Sequence, residues 1–411
     1  MEPSTAIVAA QHVLLIGAIV LSSGVIGGMI ARRIGVPDIV LYLLAGILLG
    51  PAVGHMVAVP ADSALNQLIL LFGASYILFD GGASLRFRVM REVWITVVLL
   101  ATVGLAVTAL ITAVAAYYLL AVPMVVAALL AAVISSTDPA TLIPVFKQVK
   151  IRERVAQTVI SESAANDAVG AILTFAVLIV ATGSGALSVG HSLGLLGYQA
   201  VVGTLIGAMA GYFASLFIAH ERLGFLQEHL PIVTLIVVTA AYLTAGELRA
   251  SGFMAVFVAG VVLGNRERFG LRLAQAEAHR LEDFILTTAL IMRMFIFILL
   301  GTQVNFALLD RYLWGAIGVV AIFMLAARPM TVLICALPDR HARWSLREVI
   351  FMCWTRETGV IPSALAGILI GVGAPGADII AAVTFMAVLV TILLQATTTR
   401  WLAGKLDLLD T

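Results

Sequence analysis

Thirteen successive apolar blocks, all but one at least 18 residues long, restrict this chain to structures that live in hydrocarbon. An α-helix rises about 1.5 Å per residue, so some 20 apolar residues cross the roughly 30 Å core of a bilayer. Within that core every backbone N–H and C=O must be satisfied by the protein, which leaves helices and closed barrels as the spanning forms. The blocks lack period-two alternation, which sets the barrel aside. They cover 6–31, 37–56, 65–84, 93–119, 123–146, 157–182, 190–219, 230–247, 252–265, 282–305, 312–337, 347–370 and 378–402. The expected fold class is an all-α polytopic membrane protein of about 13 transmembrane helices. The ninth block is short, and such a segment is expected to be distorted or buried within protein instead of spanning cleanly.

Composition agrees. Residues are 62% hydrophobic and 11% charged, against about 25% charged in a soluble domain, and mean hydropathy is +1.09. The net charge of +1 gives no sign of a nucleic-acid partner. Cys335 and Cys353 lie inside apolar blocks without CxxC spacing, so neither a zinc site nor a disulfide framework is expected. The first block has no basic residue before it and reads as a membrane helix, not a cleavable signal.

Basic residues test the layout independently. With the connections assigned alternately to sides A and B, side A receives 19 of the 24 lysines and arginines. Side B receives Arg249 and Arg311, and Arg293, Arg328 and Arg356 fall inside blocks. The positive-inside rule makes side A cytoplasmic, with the N-terminus outside and the C-terminus inside a prokaryotic-type plasma membrane.

A repeat is also visible. Ala45-Gly46-Ile47-Leu48-Leu49-Gly50 in block two recurs as Ala259-Gly260-Val261-Val262-Leu263-Gly264 in block nine. The second and ninth blocks are an odd number of helices apart and so cross in opposite directions, which implies an inverted-topology repeat. The chain then divides into an extra helix over 6–31 and halves of 37–219 and 230–402, within one transmembrane domain over 1–411.

Ionisable groups in hydrocarbon are costly, so each needs a reason. Block five carries Ser135-Ser136-Thr137-Asp138-Pro139, then Pro144. Pro139 removes a backbone donor and frees carbonyls near Ser135 and Thr137. Block six carries Ser161-Glu162-Ser163-Ala164-Ala165-Asn166-Asp167. Ser163 and Asp167 share one helical face, as do Glu162 and Asn166. Hydroxyl and carboxylate opposite loose carbonyls form a hard oxygen site, suited to alkali or alkaline-earth ions. Burial raises a carboxyl pKa toward neutrality, where a proton and a cation compete for Asp167. The loop histidines His191, His220, His229, His279 and His341 read as solvated surface.

Thr137-Asp138-Pro139 followed by Glu162-Ser163-x-x-Asn166-Asp167 resembles the bacterial and archaeal NhaP-type sodium/proton antiporters of the cation/proton antiporter-1 group. Phe79-Asp80-Gly81-Gly82, Phe297-Ile298-Leu299-Leu300-Gly301 and Arg328 extend the likeness along essentially the whole chain. The resemblance implies two partly unwound helices, the fifth and twelfth, crossing at mid-membrane. It implies that Asp167 is the shared sodium and proton ligand, completed by Ser163 and the Thr137 carbonyl. Asp138 and Glu162 then act through water or by orienting ligands. Asn166, in place of a second aspartate, implies electroneutral exchange. A homodimer, a moving core of blocks 4–6 and 11–13, and no cofactor beyond the transported ions are also implied.

Block twelve departs from the family pattern. An Arg-Gly pair is common there, whereas this chain reads Trp354-Thr355-Arg356-Glu357-Thr358-Gly359-Val360-Ile361-Pro362. Aligned on Gly359, Thr358 occupies the arginine's place. Arg356 and Glu357 are expected to form a structural ion pair, with Arg356 or Arg293 as candidate counter-charges to Glu162. The function expected is exchange of Na⁺ or Li⁺ for H⁺. A K⁺/H⁺ antiporter and a sodium-coupled solute symporter stay open. An intramembrane hydrolase is disfavoured, since HExxH, Gly-x-Gly-Asp and Gly-x-Ser-x-Gly are all missing.

Overall fold

A computed structural model describes residues 5–137, 151–183, 189–220 and 226–409. Within them regular structure is helical, apart from one isolated bridge between Ile151 and Leu409. The first helices are α1 (Thr5–Ile34), α2 (Asp38–Leu49) and α3 (Ala64–Ser84), followed by α4 over 87–120 with a π-helical turn at Leu100–Gly104. Then come α5 (Met124–Ile134), α6 (Glu153–Ala181), α7 (Val189–Ala219), α8 (Leu230–Glu247), α9 (Gly252–Gly264) and α10 (Gln275–Thr302). The chain continues through α11 (Phe306–Ala336), which has a second π turn at Phe323–Ala327. Last are α12 (Leu346–Trp354), α13 (Val360–Gly371) and α14 (Ala377–Lys405), with a third π turn at Ile392–Ala396.

Among the described residues nine helices are long and apolar enough to cross a membrane. The shorter apolar helices are α2, α5, α9 and α13. Each apolar block holds a helix, and block twelve holds the broken pair α12 and α13. Boundaries move where polarity hid the helix. The tenth helix begins at Gln275, not near 282, because its first turns carry Glu277, His279 and Arg280. The second stops at Leu49, short of 56, because Pro51 drives Gly50 into extended backbone. Side-chain caps fix other starts: Ser63 accepts from the Asn66 N–H, Asn305 from the Leu308 N–H, and Ser345 forms a capping box with Glu348.

The short α9 is about 20 Å long and is packed between α3 and α7, as expected for a buried segment. Glycines permit the approach. A Cβ on Gly260 would sit 2.2 Å from the Phe79 carbonyl oxygen of α3. The matching contact joins α2 to α10, where a Cβ on Gly46 would sit 2.2 Å from the Ile298 carbonyl oxygen. The two copies of the Ala-Gly motif thus make equivalent crossings. Helices α1–α3 and α7–α10 pack mainly with one another, as do α4–α6 and α11–α14. The seam between these groups is formed chiefly by α3, α9 and α10 against α6 and α13.

Candidate functional site

Two helix breaks meet at the heart of the second group. In a continued helix the Ser135 carbonyl would accept from residue 139, which is proline. The α-helix ends at Ile134, and Ser135–Thr137 are non-helical. Likewise Pro362 cannot donate to the Thr358 carbonyl, and Thr355–Gly359 are non-helical between α12 and α13. Both breaks are buried.

Helix α6 runs beside them and presents Ser163, Asn166 and Asp167, all buried. The Thr137 and Ser163 hydroxyl oxygens lie 2.7 Å apart. Asn166 holds the unwound strand at two points. Its Oδ1 accepts from the Thr137 N–H (3.1 Å), and its Nδ2 donates to Thr137 Oγ1 (2.8 Å). Asn166 therefore pins the break and sets Thr137 against Ser163. Asp167, 5% exposed, follows Ser163 by one turn. Asp138 lies outside the described residues, as do Pro139 and Pro144.

Glu162 turns away from this face. Its carboxylate forms a bidentate pair with Arg328 of α11, through Nη1 to Oε1 and through Nη2 to Oε2 at 2.9 Å. Arg328 is fully buried and also donates to the Met352 carbonyl (2.8 Å) and the Thr355 carbonyl (3.2 Å) at the end of α12. The counter-charge to Glu162 is thus Arg328, and neither Arg356 nor Arg293. Arg356 reaches across to the other break. It donates to the Ser135 carbonyl and, at 3.1 Å, to the Thr108 hydroxyl of α4, and its guanidinium stacks 4.6 Å over the Phe323 ring. The carbonyl ends of α5 and α12, where helix dipoles concentrate negative charge, each therefore receive a buried guanidinium. Glu357 is buried beside Arg356 in the chain. Arg293 is on α10 and lines a cavity instead of the crossing.

Sequence reasoning missed the role of Arg328 as a linchpin. The signal was present, because a lone arginine in an apolar block demands a buried partner. Thr108 carried none, since a threonine in a membrane helix reads as ordinary packing.

The buried centre has three carboxyl groups among the described residues, Glu162, Asp167 and Glu357, and two guanidinium groups, Arg328 and Arg356. With all ionised, these five groups sum to one negative charge. Groups of three or more His, Cys, Asp or Glu able to hold a metal ion do not occur among the described residues. A hydroxyl-rich site with one acidic ligand suits weakly held alkali ions.

Access is asymmetric. A cavity of about 520 Å³ opens at the end carrying Arg86 and Arg266, bounded by α3, α6, α9 and α10, with Asp80, Gln157 and Ile160 in its lining. One turn beyond Ile160, Ala164 packs against Gly81 of α3, so the cavity stops short of Asp167. At the opposite end a pocket of about 20 Å³ lies among Gln303, Asp378 and Phe385. There α3 and α13 are in contact. Gln67 Nε2 donates to the Gly367 carbonyl (3.2 Å), and a Cβ on Gly367 would be 2.5 Å from a Leu70 methyl.

Comparison with known proteins agrees with this geometry. The family profile described as sodium/hydrogen exchanger, transmembrane, matches residues 18–405. A probable Na⁺/H⁺ antiporter 2 of Methanocaldococcus jannaschii is 27% identical across 95% of this chain and 96% of its own length. A K⁺/H⁺ antiporter NhaP of Alkalimonas amylolytica is 28% identical across 95% of this chain, which covers 66% of that longer protein. The solved structure of the sodium proton antiporter MjNhaP1 from M. jannaschii at pH 8 superposes with a TM-score of 0.82 at 26% identity, covering 97% of this chain and 99% of that one. With a family match over nearly its whole length and two helix breaks facing one acidic helix, this chain belongs to the sodium/hydrogen exchanger family.

Proposed function

We propose that the protein exchanges Na⁺ or Li⁺ for H⁺ across the membrane, one for one, by alternating access with Asp167 as the shared site. The observation that carries this reading is the buried face of Ser163, Asn166 and Asp167 set against the unwound Thr137. A buried carboxylate holds either a proton or a cation, and an empty charged site is expensive to move through a dry seam. Competition for one group then couples the two fluxes without further machinery. Asn166, in place of a second aspartate, supports an electroneutral cycle. Thr137 and Ser163 supply neutral oxygens to the cation, and Asn166 orients them. Glu162, paired with Arg328, holds α6 against α11 and α12 and is a positioning residue. Arg356 and, through its charge, Glu357 support the crossing. Asp138 adjoins Thr137 in sequence and is kept as a further ion ligand.

The arginine distribution supports thirteen crossings with the N-terminus outside and the 520 Å³ cavity facing the cytoplasm. The equivalent glycine crossings support an inverted repeat. On this reading α2 corresponds to α9 and α3 to α10, with close glycine contacts joining α2 to α10 and α9 to α3. In the cycle the group α4–α6 with α11–α14 moves against the rest, and two chains associate through the latter. K⁺ is the second reading, favoured by relatives described as K⁺/H⁺ antiporters.

Reconstituted vesicles test the function. An imposed sodium gradient should drive opposite proton movement that clamping the voltage leaves unchanged. Asp167→Asn should abolish exchange while the purified variant keeps its helical content and melting behaviour. Near-normal exchange by Asp167→Asn would falsify the mechanism, and competition among Na⁺, Li⁺ and K⁺ across pH assigns the ion.

A further inference from the structure

Five arginines surround a second cavity at the rim of the large one. This cavity, of about 340 Å³, lies between the α3–α4 turn and the segment after α9, and is lined by Arg86, Arg88, Arg266, Arg268 and Arg272, with Glu267 as the one acidic group. The scaffold beneath it is fixed. Asn265 Oδ1 accepts from the Phe87 N–H (3.0 Å), and its Nδ2 donates to the Leu85 carbonyl (2.8 Å), joining the two segments. Arg86 and Arg266 donate to the carbonyls of Gly264 (3.1 Å) and Leu263 (3.2 Å), which orients both side chains.

Three observations point from this ring to an anion. Arg266 Nε is buried and has no hydrogen-bond partner among the described residues. Burial lowers the Arg266 pKa from arginine's ordinary range; Arg86 beside it adds to this, and Glu267 and Glu282 oppose it. Helix α4 begins at Phe87 with no acidic residue in its first turn, and Phe87 and Arg88 at its positive end line the same cavity. The positive-inside rule asks only for arginines somewhere along these loops. It does not ask that they converge on a concavity with a buried donor to spare. Guanidinium groups in this arrangement match the paired oxygens of phosphate.

We infer that the ring binds a phosphate-bearing anion and that its occupancy eases cation entry into the large cavity. Arg86 and Arg266 line both cavities. The large cavity also holds Arg293 against Asp80 and Glu282, so its approach carries more positive than negative charge. A phosphate on the ring offsets that excess within about a Debye length of the route. Anion binding stands on the ring alone, and its effect on transport rests on the cation-exchange reading.

Phosphatidylglycerol and inorganic phosphate are the probes, with Arg88→Gln/Arg268→Gln/Arg272→Gln as the principal variant and Arg268→Gln/Arg272→Gln as the milder one. Native mass spectrometry of detergent-solubilised protein should show wild type retaining phosphatidylglycerol in preference to phosphatidylcholine, and both variants losing the preference. In neutral phosphatidylcholine vesicles at constant ionic strength, the variants should show a lower apparent KM for Na⁺ than wild type, as if the anion were already bound. Adding phosphatidylglycerol should lower the wild-type KM by roughly twofold per phosphate charge beyond the shift the variants show from surface potential alone. The same shift with inorganic phosphate in neutral vesicles identifies a soluble ligand, and a shift with the lipid alone identifies a headgroup. Equal retention of both lipids by wild type, or equal KM shifts in wild type and variants, overturns the proposal. Selective retention without any sodium/proton exchange would leave the anion site standing and sink the exchange reading.

Discussion

Arg328 is the residue on which the centre turns, because it neutralises Glu162 and two carbonyls of α12 at once. Removing one member of a buried ion pair strands the other, at about 3–5 kcal/mol, whereas replacing both with apolar groups of similar volume is often tolerated. Arg328→Met should therefore lower the melting temperature of the solubilised protein far more than Glu162→Met/Arg328→Met. A double variant as unstable as the single one would show that the backbone bonds of Arg328, and not its charge pairing, hold the crossing. Asp167, Ser163 and Asn166 were legible in the sequence because polar groups in hydrocarbon stand out against everything around them. The partner of Glu162 was not legible. It lies 166 residues away, and its direction depends on the π turn that ends at Ala327, immediately before Arg328. One inserted residue rotates the following face by about 100°, and no periodicity in the sequence marks where that occurs.

At the scale of elements, glycine crossings and one capped loop carry the architecture. Gly260→Val would force side-chain carbon into the Phe79 carbonyl, a backbone atom that cannot step aside. Overpacking typically costs about 1–3 kcal/mol, so this variant should express poorly and melt early, while Gly17→Val, whose Cβ meets open space, should not. Asp339 staples the α11–α12 loop to α4 by accepting from the Thr96 N–H and hydroxyl and from the N–H groups of His341 and Ala342. Burial pushes its carboxyl up, but these hydrogen bonds together hold it below the ordinary carboxylate range. A carboxyl depressed in the folded state adds stability above its unfolded value of about 3.9, and that stability is lost as pH falls through the folded value. Melting temperature should thus drop in this acidic window more steeply in wild type than in Asp339→Asn. Identical slopes would assign the acid sensitivity elsewhere. The all-helical class and the short ninth helix could be read from apolar block lengths alone. The polar start of α10 could not, because it looks like a loop until packing makes it a helix.

At the scale of the molecule, the described residues leave a cavity of about 520 Å³ at one end and a pocket of about 20 Å³ at the other, a contrast between a more open and a tighter end. In a background with Cys335 and Cys353 replaced by alanine, Ile160→Cys should react with a membrane-impermeant maleimide from the arginine-rich side. Ala381→Cys, at the tight pocket, should react slowly from the other side and faster when Gln67→Ala removes the bond to Gly367. Equal reactivity at both positions would contradict the asymmetry. The guanidinium groups at the crossing have a further consequence. Rings of bare carbonyls sort alkali ions in many pores by replacing their hydration shells. Here Arg356 already claims the carbonyl of Ser135, and Arg328 those of Met352 and Thr355. On the proposed mechanism, dehydrating a passing ion therefore falls to the oxygens of Thr137 and to side chains along α6. Ion preference, on that mechanism, then rests on a few oxygens at Thr137 and Ser163, and substitutions there can retune it without disturbing the helices that carry them.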